Sequence, residues 1–358
     1  MKILFLTGSL EPGKDGVGDY TRLLANECGE RGHEVFLLGL NDPWAGGPLR
    51  EKTLLRLGAK MSWSERVKQA RAFGSEVTPQ IVSLQFVPYS FHPAGLPFAL
   101  PQALRAIISL VPVHIMFHEI WIGAHTGAPL KSRAFGFCQR KIVQRLVKSL
   151  NCRVIHTNNG VYSQLLNRRG IGAKRLALFG NVPITPEPSR REVNRGVLRL
   201  GMFGSIHPEW SADNLFPLLA ALGKPIQLFH VGRIGPGEAI WDDLKKQYGS
   251  QIGLRRFGEQ SLERISQLLL SADFAISTTP LTLIGKSGSV AAMLDHGLPI
   301  IVNRNDVRFS GIPEADATSE RIIPLGESFL ERLTSVKRQP PKARLPEIAA
   351  QFLNDIGA

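Results

Sequence analysis

The chain has 358 residues, 43% of them apolar, and a formal net charge of +13. That length exceeds what one core usually supports and predicts two domains, while the composition excludes a disordered, collagenous or disulfide-stapled chain. Three cysteines, Cys28, Cys138 and Cys152, are odd in number and lack metal-ligand spacing, so they read as reduced thiols.

Residues 2–7 (KILFLT) read as a buried strand, because a short apolar run ending at glycine suits a strand covered on both faces. The turn that follows contains Gly16, Val17, Gly18 and Asp19. Glycine lets backbone pass close to a ligand, and a helix predicted over 20–31 points its first N–H groups at the same opening. Asp19 is placed to cap that helix. Further strands are predicted at 34–40, 81–86, 113–118, 153–157 and 176–179. Helices are predicted at 63–73, 100–109, 132–149 and 160–168. The most apolar stretch, 96–117, is broken by Pro97, Pro101, Arg105 and Pro112 and does not read as a membrane span. Residues 1–6 are already strand-like and do not read as a leader, so a cytoplasmic protein is expected.

Residues 183–196 (PITPEPSRREVNRG) carry proline and charge without periodicity, as linkers do. The pattern then restarts, with strands at 198–203, 226–231, 253–257, 274–277 and 299–302. Helices lie between them at 213–222, 239–248, 262–270 and 287–296, and a terminal helix covers 345–356. The predicted division is 1–185, a linker at 186–196, a second domain at 197–340 and a C-terminal helix at 341–358. Apolar strands alternating with helices give an α/β chain of two doubly wound Rossmann-like domains. Ligands of such sheets bind at the carboxyl ends of the strands, so the site is expected in a cleft between the domains.

The positive charge concentrates in 131–153, where Lys131, Arg133, Arg140, Lys141, Arg145, Lys148 and Arg153 occur without an acid. Apolar Phe137, Ile142, Val143, Leu146, Val147 and Leu150 interleave at helical spacing. Such a helix can be an ordinary two-sided surface helix, lie on an anionic bilayer, or face an anionic substrate. No finger, aromatic RNA-binding motif or helix-turn-helix pattern accompanies the charge, and nucleic acid is not expected.

Several positions are suited to phosphate and sugar chemistry. Gly285, Lys286, Ser287, Gly288 and Ser289 lie between a strand and a helix, where backbone N–H groups, a cation and hydroxyls favour a diphosphate. They are not a Walker A loop, because Pro280 stands where that motif needs glycine. Gly204 and Ser205 end the first strand of the second domain, and Glu259 follows a later one as an acceptor for a base or ribose. His118 and Glu119 end a strand expected to be central, and His118 can hydrogen-bond a hydroxyl there. The run from Gln85 to His92 can shape an acceptor pocket, and His156–Asn159 (HTNN) ends another strand.

The glycine turn GVGDYTRLLA, the restart LRLGMFGS, then FHVGR, RRFGE, LLLSADFAIST and AAMLDHGLPIIV follow in an order that resembles glycosyltransferases of the GT-B fold, similar to glycosyltransferase family 4. The resemblance spans nearly the whole chain. It implies transfer of a sugar from a UDP- or GDP-linked donor to a glycan, glycolipid or small-molecule acceptor. It also implies retention of configuration, with no metal and no cofactor. The donor would lie on the second domain, with Arg233 contributing a cation, and the acceptor on the first. A lipid-linked acceptor would bring the protein to the inner face of the membrane. His118 resembles a family histidine that contacts the donor sugar. Family members carry two glutamates eight positions apart, and the corresponding residues here are Ile284 and Ala292. That departure gives a second expectation, a relative without catalysis that binds nucleotide, sugar or a protein partner. An epimerase of the same fold is a weaker third.

Overall fold

The computed structural model describes residues 1–108, 110–186, 196–312 and 319–358. Most of the predicted linker, residues 187–195, lies outside them. The described residues form two compact units. The first comprises Met1–Ala177, Phe309–Ile312 and Leu345–Ala358, and the second Leu178–Arg308 and Pro313–Arg344.

The first unit contains β1 (Lys2–Thr7), α1 (Gly16–Glu30), β2 (Glu34–Asp42), β3 (Leu49–Arg50), β4 (Leu54–Gly58), α2 (Trp63–Val77) and β5 (Ile81–Phe86). These are followed by α3 (Pro88–Phe91), α4 (Leu100–Ile108), β6 (Val113–Phe117), α5 (Leu130–Ser149), β7 (Cys152–Thr157), α6 (Gly160–Asn167) and β8 (Lys174–Arg175). Its eight strands are ordered β3-β4-β2-β1-β5-β6-β7-β8, and only the β3–β4 pair is antiparallel. Central β1, β5 and β6 are buried almost end to end, which is why they appear as continuous apolar runs in the sequence.

The second unit contains β9 (Leu198–Phe203), α7 (Phe216–Ala220), β10 (Ile226–Val231), α8 (Glu238–Tyr248), β11 (Ile252–Arg256), α9 (Leu262–Ser271) and β12 (Phe274–Ser277). It continues with α10 (Gly288–Asp295), β13 (Ile300–Val302), β14 (Ile322–Pro324) and α11 (Phe329–Ser335). The strand order is β11-β10-β9-β12-β13-β14, with every pair parallel. One face of this sheet is covered by a cluster around Trp241, Phe216 and Phe329, and the other by a cluster around Leu269, Met293 and Val302. The last helix, α12 (Leu345–Ile356), belongs to the first unit, where the Phe352 ring packs 5.8 Å from that of Phe5.

Three sequence expectations change. The apolar segment 176–179 is not a strand, because pairing with β7 is confined to Lys174 and Arg175 and one further bond from Leu176 N. Helix α1 begins at Gly16 and not at residue 20, because Asp15 caps it. Strands β3, β4, β8 and β14 and helices α3 and α11 were not anticipated. All three cysteines are free thiols, with burial raising Cys28 to about 12 and Cys152 to about 11. Among the described residues no helix is long and apolar enough to cross a membrane.

Candidate functional site

In the second unit the strand order reverses at β9, whose neighbours β10 and β12 lie to either side. The carboxyl ends of strands at such a switch are where doubly wound sheets hold ligands. Gly204, just past β9, has φ 83°. Its turn, Gly204–Ile206, meets Thr278 and Thr279 after β12 and Ser287 and Ser289 of the α10 start around a cavity of about 30 Å³. Ser287 is the N-cap of α10 and accepts from Val290 N at 3.3 Å. Lys286 closes the 3-10 turn Leu281–Lys286 that leads into this cap, with Gly285 beside it. Gly288 is the first residue of the helix. The sequence therefore assembles a glycine turn, hydroxyls and a helix N-terminus in one corner, with Lys286 just before the cap in the chain.

The corner is held from behind. His230 Nε2–H donates to the Gly204 carbonyl at 2.7 Å, and Thr278 Oγ1 accepts from His207 N at 3.1 Å while donating to Ser205 O at 3.3 Å. A Cβ built on Gly204 would stand 2.6 Å from Ser289 Oγ, in a backbone region that L-residues rarely adopt. Gly204→Ala is expected to cost about 1–3 kcal/mol of stability, read from urea unfolding, because strain and collision add.

Two predicted donor ligands face each other instead. Arg233 donates to Glu259 at 3.3 and 3.4 Å, with both side chains exposed. A cation that the sequence did not reveal is Arg304, 3% exposed. It bonds His207 Nδ1 at 2.6 Å and the carboxylates of Glu209 and Asp306 at 2.7 and 2.6 Å. The Arg304 hydrogen bond holds Asp306 below the usual carboxylate range, and burial with the Arg304 charge lowers His207. Ile284 and Ala292 are both core residues. A Cβ on Gly180 would lie 2.6 Å from the Ala292 Cα, so the chain passes this part of α10 closely only because residue 180 is glycine.

In the first unit, Val17 and Gly18 at the glycine turn have satisfied amides. Asp15 Oδ1 accepts from them at 2.8 and 3.3 Å, and Asp19 Oδ1 accepts from Gly13 N at 2.9 Å. A carboxylate thus takes the Val17 and Gly18 amides of the turn, Gly16, Val17, Gly18 and Asp19, that was expected to meet an acceptor or sugar. Gly18 is needed for close approach, since a Cβ there would meet Ser9 O at 2.6 Å. His118 and half-buried Glu119 follow β6. His118 is 5% exposed, lies edge-on to Tyr20 with ring centroids 4.8 Å apart, and bonds Gln85 Oε1 at 2.8 Å. Burial lowers its pKa to about 3, so the ring is neutral at physiological pH. Nearby strand ends β1 and β7 contribute Thr7 Oγ1 and Asn158 Oδ1, buried oxygens that lack a hydrogen-bond partner.

A cavity of about 890 Å³ lies between the loop after β6 and the first half of α5. Trp121, Phe137, Arg133, Arg140, Arg168 and Arg169 are among its lining residues, and no described lining residue is acidic. Helix α5 buries Gly136, Gln139, Ile142, Val143 and Leu146, while Phe137 stays half exposed beneath the cations of Arg140 and Lys141. Burial and the Arg169 charge lower the Arg140 pKa. Of the basic sequence 131–153, the part up to Ser149 is thus a helix whose exposed side adds aromatic and aliphatic surface to positive charge, while Arg153 lies in β7. Among the described residues no cluster of three or more metal-ligating side chains occurs.

By sequence the chain matches no known family profile and no curated protein. Solved structures do match. The lipopolysaccharide outer core galactosyltransferase WaaB is 15% identical over 100% of this chain and 99% of that one, with a TM-score of 0.59. Anabaena HepE, solved with UDP and glucose, is 16% identical over 85% and 80%, at 0.54. A UDP-N-acetylglucosamine 2-epimerase described as putative, from Listeria monocytogenes, is 10% identical over 99% and 95%, at 0.55. Similarity at this level of identity speaks to architecture, and that architecture is the GT-B fold: two Rossmann-like domains, each built on a largely parallel sheet.

Proposed function

We propose that the protein is a glycosyltransferase that moves a hexosyl group from a UDP- or GDP-linked donor to a phosphate-bearing glycan, glycolipid or small-molecule acceptor. The observation that carries this reading is the corner at the β9–β12 switch, where the Gly204 turn meets the Ser287-capped helix and Lys286 immediately precedes the cap. A diphosphate leaving group is stabilised by such donors as charge develops on it. The acceptor proton would pass to the departing phosphate, in a retaining reaction that needs neither metal nor strong base. The arginine-lined cavity of the first unit suits an anionic acceptor with an apolar portion. A membrane-borne acceptor would keep the protein at the inner face of the cytoplasmic membrane.

A second reading is favoured by Ile284 and Ala292, whose burial leaves no acidic pair at those positions. In it the same fold binds a nucleotide or sugar without transferring it, and an epimerase remains the other enzyme with this architecture. Thermal denaturation with UDP, GDP, ADP and their sugars separates these. One nucleotide at a hundred times its Kd adds about 2.7 kcal/mol of stability, and its sugar conjugate should then support transfer to a phosphorylated acceptor. Binding without transfer or epimerisation supports the second reading. No stabilisation by any of them removes the donor site altogether.

A further inference from the structure

A continuous chain of hydrogen bonds runs beneath the first unit's sheet, from His118 to the C-terminal helix. His118 Nε2 meets Gln85 Oε1 at 2.8 Å, and Gln85 Nε2 meets Ser83 Oγ at 2.8 Å. Ser83 Oγ meets His114 Nδ1 at 2.9 Å, and His114 Nε2 meets His156 Nδ1 at 3.0 Å. His156 Nε2 ends the chain on Asp355 Oδ2 of α12 at 3.1 Å, while Lys174 Nζ holds Asp355 Oδ1 at 2.8 Å. Ser83, Gln85, His114 and His156 are fully buried. Strand alternation puts Ser83 and Gln85 on one face of β5, with His114 opposite Ser83 in the register of β6.

Buried polar groups of this kind must be satisfied throughout, and that requirement fixes every proton. The Asp355 carboxylate can only accept, so His156 donates from Nε2. Burial lowers the pKa of His156 and places that of His114 well below its ordinary value, so both rings are neutral and each carries a single N–H. His156 Nδ1 therefore accepts, His114 donates from Nε2, and His114 Nδ1 accepts from the Ser83 hydroxyl. Ser83, its proton used, accepts from the Gln85 amide. Gln85 then turns its carbonyl to His118, which must donate from Nε2. Nδ1 of His118 is left with its lone pair.

The reverse arrangement keeps the same number of hydrogen bonds at every link. It needs a donor at position 355 in place of an acceptor, and it ends with the Gln85 amide donating to His118 and a proton on Nδ1. Only the charge at the far end distinguishes the two. We propose that Asp355 is a positioning residue that, acting along this chain, holds His118 as the Nε2–H tautomer, so that Nδ1 accepts a hydrogen bond from a substrate hydroxyl. The hydroxyl rests on the glycosyl-transfer reading above, whereas the tautomer does not.

The test is long-range ¹H–¹⁵N correlation spectroscopy of histidine-labelled full-length protein without ligand, with peaks assigned by single histidine substitutions. In the wild type, His114, His118 and His156 should all show the Nε2–H pattern. Asp355→Asn keeps the shape but can present an amide N–H to His156 while Lys174 holds its carbonyl. In that variant His118 should pass to the Nδ1–H pattern or to an average of both. Lys174→Ala retains the carboxylate, so its pattern should be that of the wild type. If His118 shows Nδ1–H in the wild type, or the same tautomer in Asp355→Asn as in the wild type, the proposal fails. Should Asp355→Asn not fold, a changed tautomer in Lys174→Ala would still overturn it. Where a transfer substrate is in hand, Asp355→Asn should lower kcat/KM on the order of tenfold, the value of about one hydrogen bond. Failure of that assay alone, with the tautomers as predicted, would count against the hydroxyl role and the transfer reading, and leave the tautomer assignment standing.

Discussion

Acidification from pH 7 to pH 5 is expected to destabilise the first unit by about 2 kcal/mol through His118 alone, and the buried His114 ring acts in the same direction. Burial is the largest cause of the lowered pKa of both rings, to about 3 for His118 and well below the ordinary value for His114, where His156 and His118 add positive neighbours. Both titrate in the unfolded chain at about 6.5. Between that value and the lower folded one, the unfolded state binds more protons. Stability is therefore full above about pH 6.5 and is lost as pH falls toward about 3. His118 faces Tyr20 and Gln85, while His114 faces Ser83, His156 and the Phe352 ring, so no carboxylate among these contacts opposes the effect directly. Of these histidine rings, the Asp355 carboxylate bonds His156, and partly offsets that ring's own lowering. Denaturant unfolding at pH 7, 6 and 5, followed on the first unit's tryptophans, measures the slope. A stability that stays flat across this interval would show that these rings are hydrated or charged in the folded protein.

Lys286→Ala is expected to lower glycosyl transfer by about 10²–10³-fold with little change in unfolding midpoint, the usual cost of removing one donor to a developing anion. Lys286 is half-buried beside the Ser287 cap, where a phosphate oxygen would also meet the helix N-terminus. Lys286→Arg, which keeps the charge on a longer stem, should recover part of the rate. Wild-type turnover in Lys286→Ala would take this residue out of the donor site, and a lowered midpoint would reassign it to structure.

The strands that were legible in the sequence are those buried on both faces. Residues 2–7, 81–86, 198–203, 226–231 and 274–277 are apolar almost throughout, and each is a strand with the predicted bounds. Strand β4 was hidden by Arg56 in its centre. That arginine is 9% exposed because Asp42 and Glu11 pair with it, and a pairing across 14 and 45 residues leaves no local signal. The corner around Gly204 and Ser287 was readable because glycine turns and serine caps are local devices. Arg304 was not, since nothing near it in sequence tells that it folds under the 205–209 loop. In the glycine turn after β1, Asp15, one residue before it, takes the Val17 and Gly18 amides, a local cap that the sequence pattern left unnoticed. His114 drew no notice inside an apolar strand, because its partners come from β5 and β7.

The last helix completes a core that the first strand begins. Phe352 and Ile356 are fully buried, and Phe352 packs on Phe5 and His114. During synthesis these residues leave the ribosome after the whole second unit, Phe352 coming 347 residues behind the Phe5 it covers. At translation rates of about 5–20 residues per second, β1 and its neighbours wait on the order of tens of seconds for their cover. In that interval the histidines beneath the sheet have no carboxylate to face, and the apolar side of the sheet is open to chaperones. A nascent chain stalled before residue 345 should accordingly be protease-sensitive in its N-terminal half, while the second unit, encoded later, has every strand it needs.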